Sequence, residues 1–67
     1  MSFSENLKRL RKEHHLSQEE LSELLDVSRQ AVSKWESGTS DPSTTNLLAL
    51  AKLYGISAEE LLRSIKQ

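Results

Sequence analysis

The chain contains no cysteine, and that absence removes two ways of holding a small protein together. Neither a disulfide nor a thiolate-bound zinc can staple it. At 67 residues it lies near the lower limit for an independent hydrophobic core, so packing alone must supply its stability. Aromatic residues are almost as scarce, with Phe3, Trp35 and Tyr54 the single examples of their kinds. Leu, Ala, Glu, Ser and Lys dominate instead, a composition that favours helices over a sheet. Gly38 and Gly55 are the two glycines, too few and too isolated for a phosphate-cradling loop. No apolar run reaches the roughly twenty residues needed to cross a bilayer, and no secretory signal precedes the first helix. A cytoplasmic protein is expected.

An excess of positive charge is also missing. The formal net charge is −1, yet the two signs are segregated along the chain. Lys8, Arg9, Arg11 and Lys12 cluster early, Arg29 and Lys34 lie in the middle, and acids gather at Glu19, Glu20, Glu23, Glu59 and Glu60. An anionic partner needs positive charge on one face only, not on the whole molecule. Non-specific attraction to a polyanion should still be weaker than that of a basic domain.

Five helices are expected in one domain spanning residues 1–67, with no repeat and no low-complexity segment. The first runs from about Ser4 to Glu13, capped by Ser2 or Ser4. At about 100° per residue it gathers Phe3, Leu7, Leu10 and His14 on one side, with Lys8, Arg9 and Lys12 outward. Arg11 lands at the edge of that apolar side. The second, from about Ser17 to Leu25, opens with a capping box, Ser17 and Glu20. It should bury Leu21, Leu24 and Leu25, with the small Ser22 allowing a close helix crossing. The third, about Ser28 to Ser37, turns Ala31, Val32 and Trp35 inward and ends at a left-handed Gly38. The fourth opens at Pro42 or Ser43 and ends at Gly55. Its Leu47, Leu50, Ala51 and Tyr54 share a face flanked by Leu48 and Leu53, and this all-round apolarity suggests the most buried helix. The fifth begins with another capping box, Ser57 and Glu60, and gathers Ala58, Leu61, Leu62 and Ile65.

The functional signal lies in SQEELSELLDVSRQAVSKWE, residues 17–36. Leu25-Asp26-Val27 is too short for anything but a tight corner between two helices. Beyond it, Arg29, Gln30, Ser33 and Lys34 occupy the arc that the third helix's apolar residues leave free. Long polar side chains at the start of a helix that fits the major groove suggest a reader of DNA. Arg can bond guanine and Gln adenine in bidentate fashion, so Arg29, Gln30 and Lys34 are the candidate base readers, with Ser33 in support.

Other chemistries find little support. The serines are caps or surface positions and the carboxylates lie on exposed helical faces, so an enzyme is not expected. His14 and His15 are neighbours whose side chains diverge by about 100° on a helix, which makes them poor chelators. They read as helix-end residues, and no metal site, cofactor or small-molecule ligand is implied. Trp35 shares its arc with Ala31 and Val32 and reads as core, not as a stacking platform.

LKRLRKEHHLSQEEL, VSRQAVSKWESG and DPSTTNLLALAKLYGISAEELL, in this order and separation, resemble the Cro/lambda-repressor type (XRE-like) of helix-turn-helix DNA-binding domain. The resemblance covers residues 7–62, with the helix-turn-helix itself at about 18–37. It implies an all-α, compact five-helix lambda-repressor-like domain whose third helix enters the major groove of double-stranded DNA. Asp26 stands where the family's turn usually carries Gly, Ser22 where it favours Ala, and Thr44 where an apolar residue is customary. The resemblance places Gln18 against a phosphate, with its amide also touching the start of the third helix near Gln30. Ser37, Thr39, Thr44 and Asn46 would line a second phosphate contact, and the caps Ser17 and Ser28 could add hydroxyl contacts. It also implies that Arg11 and Glu36 pair across the fold, which accounts for two charges placed beside apolar arcs.

The function expected is a sequence-specific transcriptional regulator, a repressor, bound as a homodimer to a palindromic operator. Leu62 and Ile65 are candidates for the dimer contact or, equally, for the core. The alternative is a protein-interaction module, antitoxin-like or an accessory factor, for which the acidic second helix leaves room.

Overall fold

The computed structural model describes residues 2–63. Within them the chain forms α1 (Phe3–Glu13), α2 (Gln18–Leu25), α3 (Arg29–Ser37), α4 (Thr44–Tyr54) and α5 (Ala58–Arg63), and no strand. A serine opens each one. The side chains of Ser2, Ser17, Ser28, Ser43 and Ser57 accept hydrogen bonds from backbone N–H groups three residues on, at 2.9–3.2 Å. Glu5, Glu20 and Glu60 return the bond to the Ser2, Ser17 and Ser57 N–H groups and so complete three capping boxes. Each cap satisfies donors that a helix start otherwise leaves open.

The first four helices stop by one device. His15, Asp26, Gly38 and Gly55 adopt left-handed backbone, with φ of 58°, 57°, 81° and 70°. Each donates its N–H to the carbonyl three residues back, and the following residue donates to the carbonyl five back. This is the Schellman arrangement. After α1, α2 and α4 the following residue is Leu16, Val27 or Ile56, and each packs against the core. After α3 it is Thr39, which stays exposed. The left-handed His15 was not anticipated from the sequence.

α3 lies against α1 and α2, while α4 packs against α5 and touches α2. The core consists of Leu7, Leu10, Leu21, Val32, Trp35, Leu50, Ala51, Tyr54 and Leu61, with Val32, Leu50 and Leu61 sealed from solvent. Trp35 is therefore core, as its angular position suggested.

Three sequence expectations need correction. Leu24 is not buried; it is 59% exposed. The buried residues of α2 are Leu21 and Ser22, with Leu25 half-buried, so the inward arc is rotated toward Ser22. Its centre lies about 110° away from Leu24. Ser22 tolerates burial because its hydroxyl donates to the Glu19 carbonyl at 2.7 Å. Nor is α4 buried all round: Leu50, Ala51 and Tyr54 face inward, whereas Leu48 and Leu53 are exposed. His14 belongs to no buried stripe; it follows α1 as an exposed cap whose ring lies 4.7 Å from that of Tyr54. Leu62 is also partly open to solvent, and Ile65 lies outside the described residues.

Two expected outcomes test this description. Asp26 holds its left-handed backbone at a cost that glycine avoids. Asp26→Gly should therefore raise the urea midpoint at unchanged slope, a gain in stability of about 0.5–1 kcal/mol. A lower midpoint would show that the Asp26 side chain contributes more than its backbone strain removes. The second concerns Tyr54, whose buried hydroxyl has no hydrogen-bond partner among the described residues. Burial first, then the negative charge of Glu36, pushes this phenol up from 10.0 to about 12. A raised acid group favours the protonated form in the folded state. The associated stability is fully present below pH 10 and is lost as pH rises from 10 toward about 12. Tyr54→Phe should abolish that alkaline step and be at least as stable at neutral pH. Parallel loss of stability in both proteins above pH 10 would exclude the phenol as its source.

Candidate nucleic-acid interface

The candidate site is built from α3 outward. Val32 and Trp35 anchor one side of this helix in the core, which leaves Arg29, Gln30 and Lys34 exposed on the other. Arg29 and Gln30 are its first two residues. Neither Arg29 nor Lys34 has a carboxylate partner among the described residues. Ser33 is half-buried and sits where α3 meets the rest of the surface. The helix therefore presents two uncompensated cations and one amide, all long enough to reach beyond its own backbone. Such side chains can donate to base acceptors in a major groove, and Gln30 can also accept.

What holds this face in place is an ion pair. Arg11 on α1 donates from Nε to Glu36 Oε2 at 2.7 Å and from its terminal amino group to Oε1 at 3.1 Å. Its other terminal nitrogen donates to the Leu16 carbonyl at 2.7 Å. Gln18 Nε2 adds a further bond to Glu36 Oε1, at 3.1 Å. One carboxylate near the end of α3 is thus bonded to α1 and to the first residue of α2. Arg11 is 8% exposed, and the Glu36 side chain only 4%. The hydrogen bond to Glu36 holds the guanidinium above its ordinary value despite the opposing effect of burial. The bidentate geometry and the extra donors meet the conditions under which a buried pair repays its desolvation. By contrast Arg9 and Glu13 pair at 2.6 Å in the open, where such bridges contribute about 0–1 kcal/mol.

The Gln18 amide does not reach the start of α3 near Gln30, as the resemblance implied. It bonds Glu36 because the first turn of α2 lies over the far end of α3. Gln18 lines a cleft of about 220 Å³ with Lys8, Ser33, Glu36 and Ser37. Ser37 Oγ donates to the Lys34 carbonyl at 3.2 Å and shares a hydrogen bond with Thr39 Oγ1 at 2.8 Å. These two hydroxyls stand together just past α3. Ser17 and Ser28 are exposed caps whose oxygens already accept from backbone N–H groups, which leaves their hydroxyl hydrogens free to donate. Thr44 is exposed and Asn46 half-buried, both in the first turn of α4.

Two polar residues of α1 have settings that the sequence reading did not assign. Lys8 is exposed, as expected, but it precedes Arg11 by three residues and borders the cleft that Gln18 lines, a placement the sequence did not show. Asn6 is buried, and its carbonyl oxygen accepts two hydrogen bonds from Arg9, at 3.2 and 2.5 Å. Nothing in its sequence context marked it.

Two short helices meet at a corner, and the second is locked by a buried pair with its polar face outward. That geometry defines the helix-turn-helix class. A model of the helix-turn-helix family matches residues 7–61, and the chain belongs to this family. The HTH-type transcriptional activator BcrR of Enterococcus faecalis is 45% identical over 62 residues, covering 92% of this chain and 30% of BcrR. The cryptic phage CTXphi transcriptional repressor RstR of Vibrio cholerae is 35% identical over 60 residues, covering 90% of this chain and 54% of RstR. The chain thus spans only about a third to a half of the length of these relatives. Among solved structures, the P22 c2 repressor protein in complex with a synthetic operator matches with a TM-score of 0.87 at 33% identity. That match covers 96% of this chain and 97% of the other, so the five-helix lambda-repressor-like architecture is the one observed.

If the buried pair fixes α3, breaking it on one side should be far worse than removing it entirely. Arg11→Met alone is expected to cost about 3–5 kcal/mol, because Glu36 is left buried and charged. Adding Glu36→Leu should recover most of that loss. Simple additivity of the two substitutions in urea unfolding would show that the residues do not act as a unit.

Proposed function

We propose that this chain is a sequence-specific, double-stranded-DNA-binding transcriptional regulator of the repressor kind, reading the major groove with α3. The observation that carries this reading is the outward row of Arg29, Gln30 and Lys34, exposed and unneutralised on a helix whose opposite side is locked in the core. In this reading Arg29, Gln30 and Lys34 contact base edges, with Ser33 in support. Ser17, Gln18, Ser28, Ser37, Thr39, Thr44 and Asn46 supply phosphate contacts that set register without specifying sequence. The first turn of α2 adds backbone donors and a favourable dipole for an anion beside Gln18. Arg11 and Glu36 touch no DNA and act by orienting α3.

One such helix spans few base pairs, so the reading includes a homodimer on a palindromic operator with half-sites about 34 Å apart. The partly exposed Leu62 on α5 is the candidate dimer contact among the described residues. No described helix is long and apolar enough to cross a membrane. The DNA-reading role carries with it the proposal of a cytoplasmic location.

Selection of bound duplexes from a random pool tests the proposal. A palindrome with half-sites one turn apart, and affinity falling steeply with salt, is the expected result. Against the selected site, Arg29→Ala should cost about 1–3 kcal/mol and relax preference at one base position. An equal loss on every sequence would make Arg29 a phosphate contact instead. Enrichment of no sequence, together with salt-insensitive binding to protein partners, would favour the interaction-module reading that the exposed Leu24 and Leu48 permit.

A further inference from the structure

The cleft lined by Lys8, Gln18, Ser33, Glu36 and Ser37 joins three helices, and one of its walls comes from outside the helix-turn-helix. At about 220 Å³ it is smaller than the pockets that enclose drug-sized ligands, and its donors are polar. Of the four cations on α1, Arg9 is paired with Glu13 and Arg11 with Glu36. Lys8 and Lys12 have no carboxylate partner among the described residues, and Lys8 is the one that borders the cleft.

The carboxylate in the same cleft does not repel an anion as a free one would. Both Glu36 oxygens accept charge-assisted bonds from Arg11, and one of them also accepts from Gln18. With that charge compensated, the groups still able to donate into the cleft are the Lys8 ammonium, the second amide hydrogen of Gln18 and the hydroxyl of Ser33.

We propose that Lys8 completes a phosphate seat in this cleft, so that α1 grips the DNA backbone together with Gln18. The proposal rests on the DNA-binding reading above and adds to it a contact from a helix outside the motif. Lys8 brings the formal charge that the neutral Gln18 and Ser33 lack. Because it acts on a phosphate, it contributes affinity and register but no base preference.

Lys8→Gln tests this on the duplex recovered by selection. The slope of log K against log salt should shrink by about 0.9, so the advantage of the unsubstituted protein should fall about 3.5-fold between 50 and 200 mM salt. The loss should be the same on mismatched duplexes, and Lys8→Arg should retain most of the affinity. A scan with single neutral methylphosphonate linkages localises the contact. The unsubstituted protein should be weakened at one linkage where the Lys8→Gln protein is not. An unchanged slope for Lys8→Gln, with the unsubstituted protein still binding in a salt-dependent way, overturns the Lys8 contact and leaves the regulator reading standing. Failure of the unsubstituted protein to bind any duplex overturns both. Lys8 is exposed, so unfolding midpoints should not move, and a large shift would attribute the loss to folding instead.

Discussion

The bonds made by one carboxylate, Glu36, organise both the fold and the site. Arg11 and Gln18 meet on it, while Arg11 also holds the Leu16 carbonyl in the turn after α1. The far end of α3 is thereby tied to α1 and to the beginning of α2. An apolar contact at that place would resist separation but would tolerate rotation, since burial is non-directional. A bidentate guanidinium–carboxylate pair fixes direction as well as distance. Rotation of α3 by one residue's angle, about 100°, would swing the centre of the Arg29, Gln30 and Lys34 row off the outward side. The pair therefore matters for the aim of the helix as much as for stability.

The helix terminations show how one local device serves two ends. After α1, α2 and α4 the residue beyond the left-handed position is Leu16, Val27 or Ile56, so each chain reversal also pins an apolar side chain against the core. After α3 the same backbone turn releases Thr39, which pairs with Ser37 at the surface. The backbone geometry is repeated; only the chemistry of one residue changes. That change leaves the far end of α3 hydroxyl-lined instead of capped by an apolar plug.

What the sequence made legible follows from the range of the interactions. Serine caps, capping boxes and the Gly38 and Gly55 terminators depend on residues within five positions of each other, and most were visible in the string; the Ser2–Glu5 box was missed, and the choices between Ser2 and Ser4 and between Pro42 and Ser43 stayed open. The outward row on α3 was legible because Val32 and Trp35 define its inward side without ambiguity. The phase of α2 was not, because three leucines offered a stripe, and Ser22, although noted as small enough for a close crossing, carried no hydrophobic signal to mark it as buried. The leucines of α4 misled in the opposite sense, since composition cannot say which of them lacks a neighbour. Gln18's partner depends on how two helices cross, eighteen positions apart in sequence, and no local rule contains that information. Lys8 was visible as a charge but not as part of a cleft, whose other walls come from α2 and α3.

The formal charge of −1 looks ill-suited to a polyanionic partner until the engagements of half of the ten acids are traced. Glu5, Glu20 and Glu60 are engaged in capping boxes, Glu13 binds Arg9, and Glu36 is compensated inside its bonds with Arg11 and Gln18. Lys8, Arg29 and Lys34 keep their charge free at the candidate interface. Net charge governs the weak attraction of any surface to any DNA, whereas a few placed cations govern contact at a docked interface. In a genome crowded with competing sites, occupancy depends on the ratio of specific to non-specific affinity. Cations placed at the candidate interface can supply contact there, while a near-neutral net charge keeps the non-specific affinity in that ratio low.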